Sequence, residues 1–502
     1  MASSWVPDAW GWISTLPAVA QWNTNTLSLR IIPSRPPHPP LVLTATKSLQ
    51  NQNPYIFFSV VADYELPLSL WTSASLSLKN RTQKQPVDED TASRLFSNIV
   101  AGVLQYGPQK GSSSSPRLPS VKADDRFRDV FNLAFFTLVL LVCIYEAPQD
   151  LRLGWLDSLR LHLTSPRSRG ASKDLVRFMG SNLEEQWMRA LNLAITNQIM
   201  ELQGTYHSFR APSPLFSYAI SASGMWKLQF YCPVAAMGVE DPGAKTADER
   251  LLFSLRYQQL EGVVQLAYKL VFRENWIDVI VKVDNIRCDV NPLVSETLMT
   301  ERGLGPEEKH FPSRVSLQLT PTQLQTYVLS VSVSRSSDNP ACEVGHERAI
   351  EGSFDPPGTS LGLRLSAAET VTISMRPWKF EQSVYGSSAS LHWFLHDGID
   401  GREVCSSRPP KLALFQPRAW FRDRYSSAYR PFTKQGGVVF AGDEYGESVW
   451  WKMASGAAGQ TMEWEIRGSV WITYWPNKHR SFYSETRRLE FLETVQLPLN
   501  HK

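Results

Sequence analysis

The densest group of side chains able to recognise an anion is a basic and aromatic stretch late in the chain. Guanidinium groups pair with phosphate or carboxylate and aromatic rings stack on bases, so the combination suits a nucleic acid or an acidic protein. The stretch contains Arg418, Trp420, Arg422, Arg424, Tyr425 and Arg430. The 51 Lys plus Arg against 48 Asp plus Glu leave a formal charge of only +3, which argues against nucleic acid. An ordinary solvated loop is the other alternative.

A second group of side chains could hold a metal ion. His392 and His396 lie on either side of a short aromatic segment, and Asp397 follows directly. Side chains at this spacing lie on the same face of a strand, so two imidazoles and a carboxylate could share one ion. A histidine pair on a strand is also common on protein surfaces and in hydrogen-bonded cores, and that alternative stays open.

Tryptophans beside carboxylates raise the possibility of carbohydrate chemistry. The chain has 17 tryptophans, and Glu463 and Glu465 flank one of them, Trp464. Rings stack on sugars, and glycosidases use two carboxylates at a set separation. The tryptophans that would report such binding are Trp450, Trp451, Trp471 and Trp475. The alternative is that every second residue from Trp464 to Tyr474 lies on the core face of a strand, which makes those rings structural.

The signatures of common enzyme classes are missing from the sequence. It has no G-x-S-x-G nucleophile elbow, and no G-x-G-x-x-G opens a helix after a strand. The segment Gly243 to Thr246 lacks the glycine before its lysine that a phosphate-binding loop needs. We therefore predict no catalytic residue and no cofactor, and we favour a non-enzymatic protein.

One segment is apolar enough to raise the question of a membrane. Residues 130–145 are almost entirely apolar, and their large side chains include Phe135, Phe136, Leu140 and Leu141. A bilayer span needs about 20 such residues. This run is shorter and carries Asn132 and Thr137. We expect a buried core helix, with a membrane-inserted or interfacial segment as the alternative.

Alternating apolar and polar residues predict strands from about residue 215 to the end of the chain. Segments 266–272 and 276–284 alternate clearly and are joined by a short connection, which predicts an antiparallel hairpin. The turn-rich segment 454–459 predicts a second hairpin, between 448–453 and 462–474. Strands connected in this way are typical of an antiparallel β-sandwich or an open barrel.

Helical spacing of apolar residues occupies the region before those strands. A capping box at Ser181 to Glu184 predicts the start of its last helix. We therefore predict an α+β fold, with a C-terminal antiparallel β-sandwich and a helical insertion between N-terminal strands and the main sheet. The predicted regions are an N-terminal strand and loop region at 1–85 that could complete the main sheet, a helical region at 86–206 with a flexible loop at 107–122, and a β-rich domain at 207–502.

The function is less constrained than the fold. Five cysteines are scattered without a CxxC pair, and the N-terminus lacks the apolar core of a secretory signal, which together favour a reducing intracellular compartment, the cytoplasm or an organelle surface. We predict an interaction or scaffold protein with a protein partner. The alternatives are a membrane-associated accessory protein that uses residues 130–145, and a carbohydrate-binding or carbohydrate-active β-sandwich.

Overall fold

The fold combines a layer of helices with antiparallel sheets, two of which face each other as in a β-sandwich, and this confirms the predicted α+β class. The computed structural model describes residues 7–34, 38–50, 53–77, 89–108, 118, 124–202, 209–240, 249–295, 297, 310–323, 325–334, 342–352, 365–375, 378–395, 437–441, 448–474 and 485–500. The predicted loop at 107–122 lies mostly outside these ranges, and the predicted boundaries at residues 85 and 206 stay predictions.

The described residues form six α-helices and twenty strands. The helices are α1 Ala9–Ser14, α2 Glu89–Gln105, α3 Asp125–Glu146, α4 Gln149–Leu163, α5 Pro166–Glu201 and α6 Glu249–Tyr257. The strands up to the end of the long central pair are β1 Thr26–Ile32, β2 Leu41–Gln50, β3 Asn53–Ala62, β4 Leu68–Thr72, β5 Leu76–Ser77, β6 Ser217–Ala222, β7 Met225–Pro233, β8 Gly238–Val239, β9 Gln258–Phe272 and β10 Trp276–Pro292. The remaining strands are β11 Phe311–Pro321, β12 Val328–Val333, β13 Cys342–Gly352, β14 Leu365–Met375, β15 Trp378–Tyr385, β16 Ser388–Leu395, β17 Gly437–Ala441, β18 Ser448–Ala454, β19 Thr461–Tyr474 and β20 Glu485–Pro498.

Strands β1 to β5 form a sheet of their own, in the order β1-β2-β3-β4 with β5 also paired to β3. The expectation that the N-terminal strands could complete the main sheet is therefore wrong. The physical reason is that these strands satisfy one another's hydrogen bonds and pack against helices: β4 contacts α3, and the Trp155 indole of α4 donates to the carbonyl of Pro39 at 3.1 Å. The N-terminal sheet and the helical layer thus share one core.

Helix α3 contains the apolar run of residues 130–145 and lies in the middle of the helical layer. The large side chains named above are all buried: Phe135, Phe136, Leu140 and Leu141. Its polar residues have partners within the chain, because Asn132 donates to Asp8 at 2.9 Å and Thr137 donates to the carbonyl of Leu133 at 2.8 Å. In the part of the chain that the structure describes, α3 is the one helix long and apolar enough to cross a bilayer, and 83% of its most apolar window is buried. One such helix is weak evidence of a span, since the core helix of a folded protein has the same composition.

Two large antiparallel sheets form the β-rich part. Sheet I has the order β12-β18-β10-β9-β7-β6, with β17 also paired to β10, and sheet II has the order β15-β16-β11-β19-β20-β8. The predicted hairpin at 266–284 is confirmed, because β9 and β10 pair antiparallel from Phe272 opposite Ile277 onward. Strands β13 and β14 form a separate two-stranded sheet between β12 of sheet I and β15 of sheet II in chain order.

The second predicted hairpin is wrong, because its two strands lie in different sheets. Strand β18 pairs with β10 and β12 in sheet I, whereas β19 pairs with β11 and β20 in sheet II. The connection between them crosses the sandwich, so the rings of Trp451 and Trp464 meet edge to face in the interior, with centroids 4.5 Å apart. Every second residue of β19 from Trp464 to Tyr474 is buried, which confirms their interpretation as core.

Helix α5 covers part of the outer face of sheet I and consists of two helical segments. Ser165 caps its start by accepting a hydrogen bond from the Ser168 N–H at 3.3 Å. Gly180 has a φ of 72°, in the left-handed region that glycine tolerates, and breaks the helix. The second helical segment follows Gly180 directly, which agrees with the helix start predicted at Ser181, whereas the segment that begins at Pro166 was not predicted.

Candidate functional site

The candidate site lies on the outer face of sheet II, the side that points away from sheet I. Along β11, Val315 and Leu317 are buried toward sheet I while Arg314 and Ser316 lie on the other face and are partly exposed. The strand register places Arg314 opposite Phe394 of β16 and opposite Trp471 of β19. Trp471 in turn lies opposite Arg488 of β20. We call Phe394, Arg314, Trp471 and Arg488 the cation–aromatic row.

The row alternates rings and guanidinium groups across four strands. The guanidinium carbon of Arg314 is 4.7 Å from the ring centroid of Phe394 and 4.4 Å from that of Trp471. The guanidinium of Arg488 is 5.9 Å from the Trp471 ring. Each such contact is worth about 0.5–1 kcal/mol when exposed to solvent and more when water is excluded. The two rings therefore hold the planar group of Arg314 in a fixed orientation.

The two arginines of the row differ in how their charge is compensated. Arg488 has Nε 3.3 Å from Glu240 and Nη2 2.9 Å from Glu490. The indole N–H of Trp471 also donates to Glu240, at 2.8 Å. Within the described ranges, the guanidinium of Arg314 has neither a hydrogen bond nor an ion pair, and its Nε is buried without a partner. The row thus contains one cation that the surrounding sheet does not neutralise.

His392, from the predicted metal site, lies beside the row on the same face. Its Nδ1 is 2.9 Å from the hydroxyl of Ser316. Burial lowers its pKa, and the positive charge of Arg314 lowers it further, with a small opposing effect from Glu381. His396 and Asp397 lie outside the described residues, and no group of three or more potential metal ligands occurs among the residues that were described. The metal site stays a prediction.

The other candidate residues fall in different places. The basic and aromatic stretch, with Arg418, Trp420, Arg422, Arg424, Tyr425 and Arg430, lies wholly outside the described ranges, as does Trp475. Trp451 is buried and donates to the carbonyl of Ser387 at 2.8 Å. Trp464 points into the sandwich, whereas its neighbours Glu463 and Glu465 lie on the outer face. Trp464 and these two carboxylates therefore cannot contact the same sugar.

A second cluster of polar side chains lies between α5 and the outer face of sheet I, and we call it the helix–sheet network. Its centre is the carboxylate of Glu261, which accepts hydrogen bonds from Gln259 at 2.6 Å and Asn291 at 2.6 Å. Arg189 of α5 adds an ion pair to the same carboxylate at 3.4 Å. Asn192 of α5 donates to Gln259 at 2.8 Å. The network joins the helix to the sheet by one buried hydrogen bond, from Asn192 to Gln259, and by the ion pair of Arg189 with Glu261.

Glu184 of α5 extends the helix–sheet network, because its carboxylate accepts a hydrogen bond from Tyr218 of β6. Burial raises its pKa above the ordinary value, and hydrogen bonds from Tyr218 and Tyr231 oppose that rise only in part. Burial, together with the charge of Glu184, raises the pKa of both tyrosines. Glu184 was noticed in the sequence for its place in a capping box. Its tyrosine partners lie on β6 and β7, and no local signal could have indicated them.

The cation–aromatic row was not predicted from the sequence either. Its residues come from β11, β16, β19 and β20, and only the strand register brings them together. The alternation along β19 did separate Trp471 from the core positions of that strand. That was the available signal for an exposed tryptophan on this face.

Comparison with known proteins adds no family. No family model matches the chain, and no curated protein matches it. Among solved structures, Clostridium perfringens delta-toxin is similar over 56% of this chain and 92% of its own, with 13% identity and a TM-score of 0.22. The Clostridium perfringens NetB toxin in its membrane-inserted form covers 56% and 92% with 9% identity and a TM-score of 0.18. A structure titled pore forming protein covers 56% and 94%, with 10% identity and a TM-score of 0.18. Similarity at these TM-scores supports no inference about this chain.

Proposed function

We propose that the protein is a non-enzymatic interaction or scaffold protein that binds a protein partner through the outer face of sheet II. The observation that carries the proposal is the cation–aromatic row, whose Arg488 side chain is 41% exposed and whose Arg314 and Trp471 are partly exposed. The corresponding face of sheet I, by contrast, is covered in part by α5 through the helix–sheet network. In the described part of the chain, the row thus presents partly exposed cationic and aromatic side chains on this face.

The composition and rigidity of the row fit a protein interface. Tryptophan and arginine are the residue types most enriched among interface hot spots. Side chains already held in place lose little conformational entropy on binding, which leaves more of the contact energy for affinity. Rings on both sides of Arg314 and the hydrogen bond from Trp471 to Glu240 supply that order before any partner arrives.

We also propose an intracellular, reducing location. Its support is that Cys143, Cys232 and Cys288 are free and buried. Burial raises the pKa of the Cys143 and Cys288 thiols, which keeps them protonated and unreactive. A partner would therefore be sought first in the cytoplasm or on an organelle surface.

The test compares two tryptophans that each contact a cation on an outer face. Trp471→Ala removes the centre of the row, and Trp276→Ala removes a ring of sheet I that Lys452 covers at 3.8 Å. Each full-length variant is purified by affinity from the native source, and partners present in near-equal amount are identified by mass spectrometry. We expect wild type and Trp276→Ala to retain a stoichiometric partner that Trp471→Ala loses.

The control for folding is the circular dichroism spectrum and melting temperature of each variant. If Trp471→Ala does not fold, Arg488→Gln replaces it, because that side chain is at the exposed end of the row. A protein that is recovered alone under all conditions contradicts the proposal. If both tryptophan variants retain the same partner equally, the partner binds elsewhere than on sheet II, which also contradicts the proposal.

A further inference from the structure

We infer that Arg314 is the anchor of this surface and binds a single carboxylate from an acidic segment of the partner protein. The inference rests on the proposed function and specifies its chemistry. It follows from the orientation of one guanidinium group, from the charges around it, and from a neighbouring hydrogen-bond pair.

The orientation of Arg314 leaves only one side of the group for a ligand. The guanidinium lies over the rings of Phe394 and Trp471, which come from the two strands on either side of β11, and Nε is buried without a partner. The two Nη atoms are not among the buried atoms that lack a partner, so they keep contact with solvent. Two parallel N–H groups in one plane match the two oxygens of a carboxylate. A ligand would therefore approach along the plane of the group, between the rings.

The charges around Arg314 favour a ligand with one negative charge. Arg488 is already paired with two carboxylates, Glu240 and Glu490, whereas Arg314 has none in the described part of the chain. A second row of side chains on this face runs beside the cation–aromatic row, and the register places Glu381 opposite His392 at one end of it and Glu490 opposite Ser469 at the other. Each of these carboxylates is itself paired with a cation, Glu490 with Arg488 at 2.9 Å and Glu381 with Lys379 at 2.6 Å. Arg314 therefore contributes one positive charge that has no counter-charge in the described ranges, and a single carboxylate balances it.

The Ser316 and His392 pair adds one hydrogen-bond donor near Arg314. If the Ser316 hydroxyl donates to Nδ1, the proton of the neutral imidazole is on Nε2, which can donate. If Nδ1 donates to Ser316 instead, the hydroxyl proton is free. The lowered pKa of His392 keeps the ring neutral at pH 7, so one donor remains in either tautomer.

The experiment measures the binding of two peptides to the full chain by titration calorimetry. The peptides are N-acetyl hexaglutamate amide and N-acetyl hexaglutamine amide, whose blocked termini carry no charge. The variants are Arg314→Gln, Arg314→Lys and the control Arg273→Gln, whose side chain is 57% exposed and is paired with Asp278 on sheet I. We expect the glutamate peptide to bind and the glutamine peptide not to bind. Loss of a charged pair of hydrogen bonds predicts a reduction of about tenfold or more for Arg314→Gln. Arg314→Lys should lose most of that affinity, because lysine keeps the charge but not the planar fork.

The same variants are then tested against the partner identified for Trp471→Ala, which separates the two claims. If Arg314→Gln keeps both the partner and the glutamate peptide while Trp471→Ala loses the partner, the carboxylate inference fails and the proposed function stands. Equal loss in Arg273→Gln overturns the inference, since binding would then follow net charge. Tighter binding of inorganic phosphate than of the glutamate peptide overturns the choice of carboxylate. If no partner exists but peptide binding depends on Arg314, the anion site stands and the proposed function fails.

Discussion

On the inner faces of the sandwich, sheets I and II use the same pairing of a ring with a glycine. Phe230 lies opposite Gly262 in sheet I, and Phe491 lies opposite Gly468 in sheet II. A Cβ at either glycine would come within about 2 Å of the ring, 2.1 Å from Phe230 and 2.0 Å from Phe491. The two rings stack on each other across the interior, with centroids 5.4 Å apart. Each sheet thus makes room for its own ring, and the rings join the sheets.

On the outer faces the two sheets differ in whether the chain supplies its own partners. Glu261 of sheet I accepts hydrogen bonds from its own sheet and an ion pair from α5. Arg314 of sheet II is held by rings and has no ionic partner in the described ranges. A carboxylate that accepts several hydrogen bonds favours one packing arrangement, whereas a rigid cation without an ionic partner is available to a ligand. The contrast therefore separates a structural face from a candidate binding face.

The largest expected effect on stability comes from removing either of the two stacked rings that join the sheets, Phe230 and Phe491. Phe491→Ala and Phe230→Ala should each reduce the free energy of unfolding by about 3–5 kcal/mol, because each leaves a cavity among buried rings. The double variant should lose less than the sum, since the first change already removes the stacking contact of the second. Urea unfolding followed by tryptophan fluorescence measures all three.

The control for that cycle combines Phe491→Ala with Phe96→Ala, a buried ring of α2 in the helical layer. These two changes should add, because they share no contact. Additive losses for the Phe230 and Phe491 pair would contradict the view that the stacked rings join the sheets.

A smaller effect should distinguish the two outer faces. Glu261→Ala removes the acceptor for Gln259 and Asn291 and should cost about 1–3 kcal/mol, the range for buried donors left without a partner. Arg314→Gln removes two ring contacts of about 0.5–1 kcal/mol each but also removes the buried Nε that has no partner, so we expect a net loss of about 1 kcal/mol or less. Midpoints of urea unfolding give the comparison, and hydrogen exchange should increase in α5 only for Glu261→Ala.

Equal destabilisation by the two variants would contradict the distinction between the faces. A large loss for Arg314→Gln would indicate that the row is part of the stability of sheet II. Protection of α5 that is unchanged in Glu261→Ala would indicate that apolar contacts, such as those of Trp187 and Leu191, hold the helix without the network.

The same comparison explains which parts of the molecule could be predicted from the sequence. The hairpin of β9 and β10 was predictable because both strands alternate and a short connection leaves one pairing. The segment 454–459 looked the same in the sequence, yet it carries the chain from β18 in sheet I to β19 in sheet II. Alternation indicates that a strand has a core face and does not indicate which sheet it joins.

The candidate site was harder to predict for a related reason. Phe394, Arg314, Trp471 and Arg488 are distant in the chain and meet only through the register of four strands. The helix–sheet network has the same property, since Glu184 and Tyr218 belong to different elements, α5 and β6, and meet only because the helix packs on the sheet. Short-range patterns indicate faces, and long-range pairing decides which side chains on those faces meet.

The smallest expected effect concerns the pH dependence of the network. The pKa of Glu184 is raised in the folded protein, so the folded state binds a proton more tightly than the unfolded state does. The contribution of Glu184 to stability is therefore greatest below its ordinary pKa of 4.5 and decreases as the pH rises through that value toward the raised folded pKa. We expect the unfolding free energy of Glu184→Gln to lack this decrease, because glutamine stays neutral and can still accept from Tyr218.

The measurement is the difference in unfolding free energy between Glu184→Gln and wild type from pH 4 to pH 8. The buried carboxyl of Glu493 also has a raised pKa, but it is present in both proteins and cancels in the difference. The difference should increase in favour of the variant as the pH rises, by less than the loss expected for Glu261→Ala. If the difference does not change with pH, the hydrogen bonds from the tyrosines stabilise the charged carboxylate by as much as burial destabilises it. In that case the covered face of sheet I would hold a charge that its neighbours compensate, whereas Arg314 of sheet II has no ionic partner in the described ranges.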